Sequence, residues 1–252
     1  LTLPHWDDAE RPWEARFVNR WRRMRHFYRD FDPHGRVDVT ATLSKAPGAD
    51  AGIELQHALI QARGGDVTIR MFPYRVDDVR GTLELTSDGV FIHGLTGRHG
   101  EGAISAEGWF GELSRHSAAT LHVEGLGVAL DSDLCTAISG RHRHTWEEFA
   151  PRGRADIAVT MSRPETEDEP GPWTVGIDAE LLGVDAEFVG FPYPLRDLRG
   201  RVRIDGDTFE VVDVRGSCGD GALTAAGLVR ASPAGLEQLD LTLTADALPL
   251  DD

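Results

Sequence analysis

The chain has 252 residues, 40% of them apolar, and carries 42 acidic against 26 basic side chains for a formal net charge of −16. That charge argues against a nucleic-acid backbone or an anionic membrane face as the main partner, and the apolar share argues against disorder. No run approaches the ~20 apolar residues of a membrane-spanning helix, and no signal peptide is visible. The chain opens on Leu1 and closes on "LPLDD" inside a repeated block, so it is expected to be an internal piece of a longer protein.

In residues 1–32, Trp13, Phe17, Trp21, Met24, Tyr28 and Phe31 recur at spacings of four or three. This predicts an amphipathic helix from Pro12 to Phe31. Its other face carries Arg16, Arg20, Arg22, Arg23 and Arg29. Three roles are open to it: packing its aromatic stripe on a sheet, lying in a membrane interface, or binding another protein.

From Pro33 the apolar residues alternate with polar ones, as in Val37, Val39, Ala41 and Leu43. This is the period of a strand with one buried face. Strands are predicted near 36–44, 52–62, 65–71, 79–86, 89–95, 101–110 and 117–125. Short joins punctuated by Gly and Asp leave no room for crossover helices, which makes the sheet an antiparallel meander. "DSDLCTAIS", capped by Asp131 or Ser132, predicts a short helix in a linker over 132–150. A second strand set follows near 154–162, 172–180, 183–190, 198–205, 207–214, 221–230 and 236–245, with the acidic run "RPETEDEPGP" read as a solvated hairpin loop.

The two sets are copies. "FPYRVDDVRG" at Phe72–Gly81 returns as "FPYPLRDLRG" at Phe191–Gly200, and residues 72–108 match 191–227 without a gap at 13 of 37 positions. "PHGRVDVTATLS" from Pro33 returns as "PRGRADIAVTMS" from Pro151 at 6 of 12 positions, offset 118. A weaker block pairs "LHVEGLGVALD" from Leu121 with "LTLTADALPLD" from Leu241 at offset 120. The chain thus divides into a helix segment (1–32), repeat unit 1 (33–131), a linker (132–150) and repeat unit 2 (151–252). The repeated Phe-Pro-Tyr belongs at a strand end or sheet edge. "GRHGEG" and "GSCGDG" suit a tight turn or bulge where positive φ is needed, and their spacing is not that of a phosphate-cradling loop.

Six column pairs change identity between copies and stay apolar: Leu83/Val202, Leu85/Ile204, Val90/Phe209, Ile92/Val211, Leu95/Val214 and Ile104/Leu223. One sheet face must therefore remain greasy, either as a closed core or as the wall of an apolar groove. These twelve residues are the candidate lipid-binding set.

In this recurring order of strand pair, "FPYPLRDLRGRVRIDGDTFEVVDVRGSCGDGALTAAGLV", strand and linker, the chain resembles the AsmA-like proteins of bacterial envelopes. That group includes TamB relatives and is likened to eukaryotic bridge-like lipid-transfer proteins. The resemblance spans about 33–131 and 151–251. It implies a mainly β fold: a long, bent or taco-like antiparallel sheet whose concave apolar face carries lipid acyl chains, phospholipid above all. It also implies a periplasmic location in a parent anchored in the inner membrane, with no catalytic residues and no cofactor. This chain lacks that anchor.

Other chemistry is poorly supported. "RHRH" at Arg141–His144 reads as an exposed linker and not as a zinc site. His99 and Cys218 occupy equivalent positions one unit apart. Cys135 and Cys218 are not paired by the repeat, and a disulfide between them would require an oxidising compartment. No GxSxG or HExxH pattern occurs, so no enzyme, cofactor or metal is expected. A structural or adhesive β-repeat protein with a dry core is the competing reading.

Overall fold

The computed structural model describes residues 31–45, 47, 53–70, 72–111, 116–138, 140–167, 171–188, 193–232 and 235–246. The helix expected over 12–31 falls outside this set except for Phe31, whose ring meets Phe110 edge-on at 6.5 Å. Six strands precede two helices: β1 (His34–Lys45), β2 (Ile53–Ile69), β3 (Phe72–Leu85), β4 (Gly89–His99), β5 (Gly102–Gly111) and β6 (Ala119–Ala129). Helices α1 (Ser132–Ala137) and α2 (Gly140–Phe149) follow. Six more strands complete the order: β7 (Arg154–Arg163), β8 (Thr174–Ala186), β9 (Leu195–Asp205), β10 (Thr208–Cys218), β11 (Gly221–Ser232) and β12 (Gly235–Ala245).

All twelve strands form one antiparallel sheet in sequence order, β1 through β12, and each pairs only with its neighbours along the chain. Among the described residues the sheet is open, with β1 and β12 at its two edges. Seven strands were expected in each half and six are found. Residues 52–62 and 65–71 merge into the single strand β2, and 172–180 and 183–190 into β8. The joining residues, Gly64 and Gly183, have φ of +92° and +87°. Breaks between strands were expected at 63–64 and 181–182, but the ladder continues through bulges there.

The backbone keeps the sequence's period. Left-handed or otherwise positive φ values recur as Gly64/Gly183, Asp78/Asp197, Gly81/Gly200, Gly94/Asp213 and Gly100/Gly219, each pair 119 residues apart and within 10° of one another. Gly35 and Gly153 (+139° and +134°) do the same at 118.

This geometry explains the repeated phrase. Its core is Asp, an apolar residue, Arg and Gly, and it occurs three times: Asp78–Gly81, Asp197–Gly200 and Asp213–Gly216. The three aspartates take φ of +52°, +49° and +48°, a region that Asp visits more readily than most non-glycine residues. Each is paired with the Arg two positions on: Arg80 Nη2 donates to Asp78 at 2.8 Å, Arg199 Nη2 to Asp197 at 2.9 Å and Arg215 Nη2 to Asp213 at 2.8 Å. The apolar residue between them, Val79, Leu198 or Val214, is buried. Ladder register shifts accompany these sites, between Asp77 and Arg80, between Leu195 and Leu198 (opposite Ala186 and Val184), and between Val211 and Val214. The phrase is therefore a β-bulge, which bends its strand and re-aims one side chain.

Three buried clusters form the core. The first joins Ala58, Leu85 and Val90. The second sets Leu134 and Ala137 of α1 against Tyr74 and Val128. The third contains Val184, Ala186, Leu198, Val214, Cys218 and Leu223.

Candidate functional site

Directly opposed residues of an antiparallel ladder share a face of the sheet, so the register locates the twelve candidate residues. Leu83 opposes Ile92 and Leu85 opposes Val90. At the equivalent place in the second half, Val202 opposes Val211 and Ile204 opposes Phe209. Leu95 meets Ala106, and Ile104 meets Gly97; Val214 meets Ala225, and Leu223 meets Gly216. The pairings extend to neighbours the sequence analysis did not single out. Ile60 lies beside Leu83, Ile177 beside Ile204, and Val229 beside Phe209.

Burial divides the set. Leu85, Val90, Ile92, Val214 and Leu223 are buried. Leu83, Leu95, Ile104, Val202, Ile204, Phe209 and Val211 are half-buried, and none of the twelve is exposed. They are shared among different clusters: Leu83, Leu85 and Val90 belong to one, Ile104 packs against the α1 cluster, and Val202, Val211, Val214 and Leu223 meet in the third.

The linker differs from expectation. Asp131 caps α1 as predicted, its Oδ1 accepting from the amides of Asp133 and Leu134 at 3.0 Å each. The "RHRH" stretch, however, is not an exposed linker: it lies on α2. His142 approaches Phe209 with ring centroids 5.6 Å apart, His144 pairs with Glu148 at 3.2 Å, and Trp146 packs on the α1 cluster. The i, i+4, i+7 spacing of His142, Trp146 and Phe149 was the available signal. Among the described residues these helices, and no second sheet, are packed on the strands.

Among the described residues, exposed large apolar side chains lie both on inner strands, as Leu126 and Leu228 do, and on the two edge strands. On β1, Val37, Val39 and Leu43 are 55–59% exposed; on β12, Leu239 and Leu243 are 45% and 42% exposed.

A polar cleft of about 450 Å³ lies where β3, β4 and β6 meet the start of α1. It is lined by Arg75, Asp77, His99, Glu101, Asp133 and Arg154, among others. His99 Nδ1 is 2.7 Å from the carbonyl of Arg75, its Nε2 is 3.5 Å from Asp133, and its ring stacks on Tyr74 at 4.0 Å. Burial, with the nearby carboxylates of Asp131 and Asp133, pushes the Tyr74 hydroxyl up to about 12. Arg154 pairs with Glu101 across the mouth. Most of these charges are mutually satisfied, which leaves little to polarise a substrate.

On the face opposite the apolar columns, His57 and His93 hold Glu84 between them at 2.9 and 2.8 Å. These contacts draw its carboxyl below the usual range. No group of three or more metal-ligating side chains occurs among the described residues. Both cysteines are free thiols, and burial raises the pKa of Cys218, which disfavours the thiolate. Compared with family models, curated proteins and solved structures, the chain has no match.

Proposed function

We propose that this chain binds or conducts lipid acyl chains along one apolar face of its sheet, as a non-enzymatic part of a cell-envelope protein of the AsmA-like kind. The observation that carries the reading is the register: apolar residues of one strand stand opposite apolar residues of the next in both halves. Helices are packed on the sheet, without a second sheet among the described residues. The bulges at Asp78, Asp197 and Asp213 are the devices by which such a sheet would bend around a ligand.

The physical benefit is large. Holding a 16-carbon tail out of water is worth on the order of 10 kcal/mol at about 0.8 kcal/mol per methylene. Non-directional contact with Leu, Ile, Val and Phe suffices for it. That matches columns which conserve apolarity between copies but not identity. The periplasmic location and the contact with membranes through a longer parent belong to the same proposal.

Native mass spectrometry with solvent extraction tests it. Co-purifying phospholipid is expected in the wild type and lost in Ile204→Asp, a half-buried position where the fold has room to survive, and in Leu85→Asp where circular dichroism shows an intact sheet. Arg203→Gln, on the opposite face, keeps the lipid. No adduct after incubation with phospholipid vesicles would sink the proposal. One observation favours the competing reading of a structural β-repeat with a dry core: five of the twelve columns are already buried without a ligand.

A further inference from the structure

The two open edges of the sheet are related to a seam inside it. β6 and β7 pair across the boundary between the halves, with Leu121 opposite Met161, Val123 opposite Val159 and Gly125 opposite Ile157. By the repeat, β12 corresponds to β6 at offset 120 and β1 corresponds to β7 at offset 118. The free edge of β12 is thus the counterpart of a strand that pairs with a β1-type strand elsewhere in the same sheet. In a twelve-strand meander β12 also has the direction needed to pair antiparallel with β1 of another molecule.

We infer that β12 of one copy pairs with β1 of a second copy, head to tail, in the register of the β6–β7 seam. Transferring that register puts Leu241 opposite Leu43, Leu243 opposite Ala41, and Ala245 opposite Val39. These strands carry Val39, Leu43, Leu239 and Leu243, which are exposed in the single copy; pairing sets Val39, Leu43 and Leu243 against apolar partners, while Leu239 falls opposite Lys45. The other face raises no obstacle along most of the edge: Thr242 meets Thr42, Thr244 meets Thr40, and Asp240 meets Ser44. One acid approaches another, Asp246 beside Asp38, and the latter already receives a hydrogen bond from Arg63 Nε at 2.7 Å.

The interface is heterologous, so each added copy leaves one β1 and one β12 free and the assembly stays open-ended. Because each copy carries a charge of −16, the contact is apolar and backbone-mediated against long-range repulsion, and added salt strengthens it. The inference rests on the repeat and the strand register and is independent of whether lipid is bound.

Sedimentation velocity of the 252-residue chain from about 1 to about 100 μM, the weak end of the range that ordinary interfaces cover, tests it directly. The wild type is expected to progress from the 27.6 kDa monomer to dimers and longer species, further at high salt. Val39→Lys and Leu243→Lys alter side chains that are exposed in the single copy, so the fold survives, and each variant alone is monomeric. Mixed, they form a 1:1 dimer that grows no further, because each supplies the one edge the other lacks. A wild type that stays monomeric overturns the inference, as does a single-edge variant that still dimerises, an association that weakens with salt, or a mixture that does not pair. Lipid extraction from the same samples is read separately, so loss of either property leaves the other measurable.

Discussion

Asp78, Asp197 and Asp213 hold backbone conformations that most side chains resist, and each is clasped by an Arg two residues later. The conformation matters more than the clasp, since exposed ion pairs contribute about 0–1 kcal/mol and a left-handed L-residue costs about 1–2 kcal/mol. Asp78→Ala is therefore expected to destabilise more than Asp78→Gly, by roughly 1 kcal/mol, in urea denaturation. Gly81 is stricter. A Cβ there would lie 2.7 Å from the Gly94 carbonyl oxygen and 2.8 Å from the Leu95 Cα, so Gly81→Ala is expected to cost roughly 2–3 kcal/mol. Gly94 is tolerant: a Cβ meets nothing within 4 Å, and the second half already places Asp213 there. Gly94→Asp is expected within about 1 kcal/mol of wild type on the same assay.

Tyr74 makes a prediction about pH. Its folded-state value of about 12 lies above the ordinary value near 10, so the folded form retains the proton more tightly than the unfolded chain. The associated stability is present below pH 10 and lost as pH rises from 10 through 12. Wild type minus Tyr74→Phe in denaturation free energy should fall across that window, whereas a flat difference would mean the hydroxyl is not held neutral by its surroundings. Tyr74→Phe itself should be mild or stabilising at pH 7, because the buried hydroxyl has no hydrogen-bond partner among the described residues.

At the scale of elements, the strands and the linker helices play different parts. α1 is only six residues long, too short to persist by itself, and is held by its cap at Asp131 and by Leu134 and Ala137 in the core. Leu134→Ala should cost about 2–5 kcal/mol if the cluster cannot collapse around the gap, read by thermal or urea unfolding. It should also loosen α1 from the sheet, and under the proposed function more lipid would then bind. The helical nature of α2 was legible in the spacing of His142, Trp146 and Phe149, but the polar "RHRH" outweighed it. Phe209, 67 positions away in sequence, is brought against His142 only in the assembled fold. The starts of β5 and β11 at Gly102 and Gly221 were legible to within a residue, but β4 and β10 run on to His99 and Cys218, past the expected ends at 95 and 214. The merging of two predicted strands into β2 and into β8 was not legible, because Gly64 and Gly183 look the same whether the chain turns back or bulges and continues.

For the whole molecule, a meander in which each strand pairs only with its sequence neighbours behaves as a one-dimensional stack. Among the described residues the edge strands have a partner on one side only, and every described position of β1 is exposed. Hydrogen exchange is therefore expected to be fastest in β1 and β12 and slowest around β3–β6 and β8–β11. If copies join head to tail, raising the protein concentration protects β1 and β12 selectively, while protection confined to the middle strands would count against the joining.

The mainly β class, the antiparallel meander, a helix capped at Asp131 or Ser132 and the period of about 118 residues follow from sequence alone; the structure puts the cap at Asp131. Each rests on relations among residues close along the chain: alternation at every second position, a carboxylate near two amides, a recurring phrase. Comparison of the copies selected the twelve columns, and alternation puts Leu83, Leu85, Val90 and Ile92 with their counterparts on one face; Leu95 and Val214, three residues beyond Ile92 and Val211, join that face only because the ladder slips a residue there. The sequence could not say how deeply each column is buried. Leu223 and Ile204 have the same apolar character, yet Leu223 lies in a cluster with Val184 and Cys218 while Ile204 remains half-buried. That difference is set by which bulge, helix or neighbouring strand arrives above each position, a matter of contacts between residues far apart in the chain. It is decided only when the sheet is assembled.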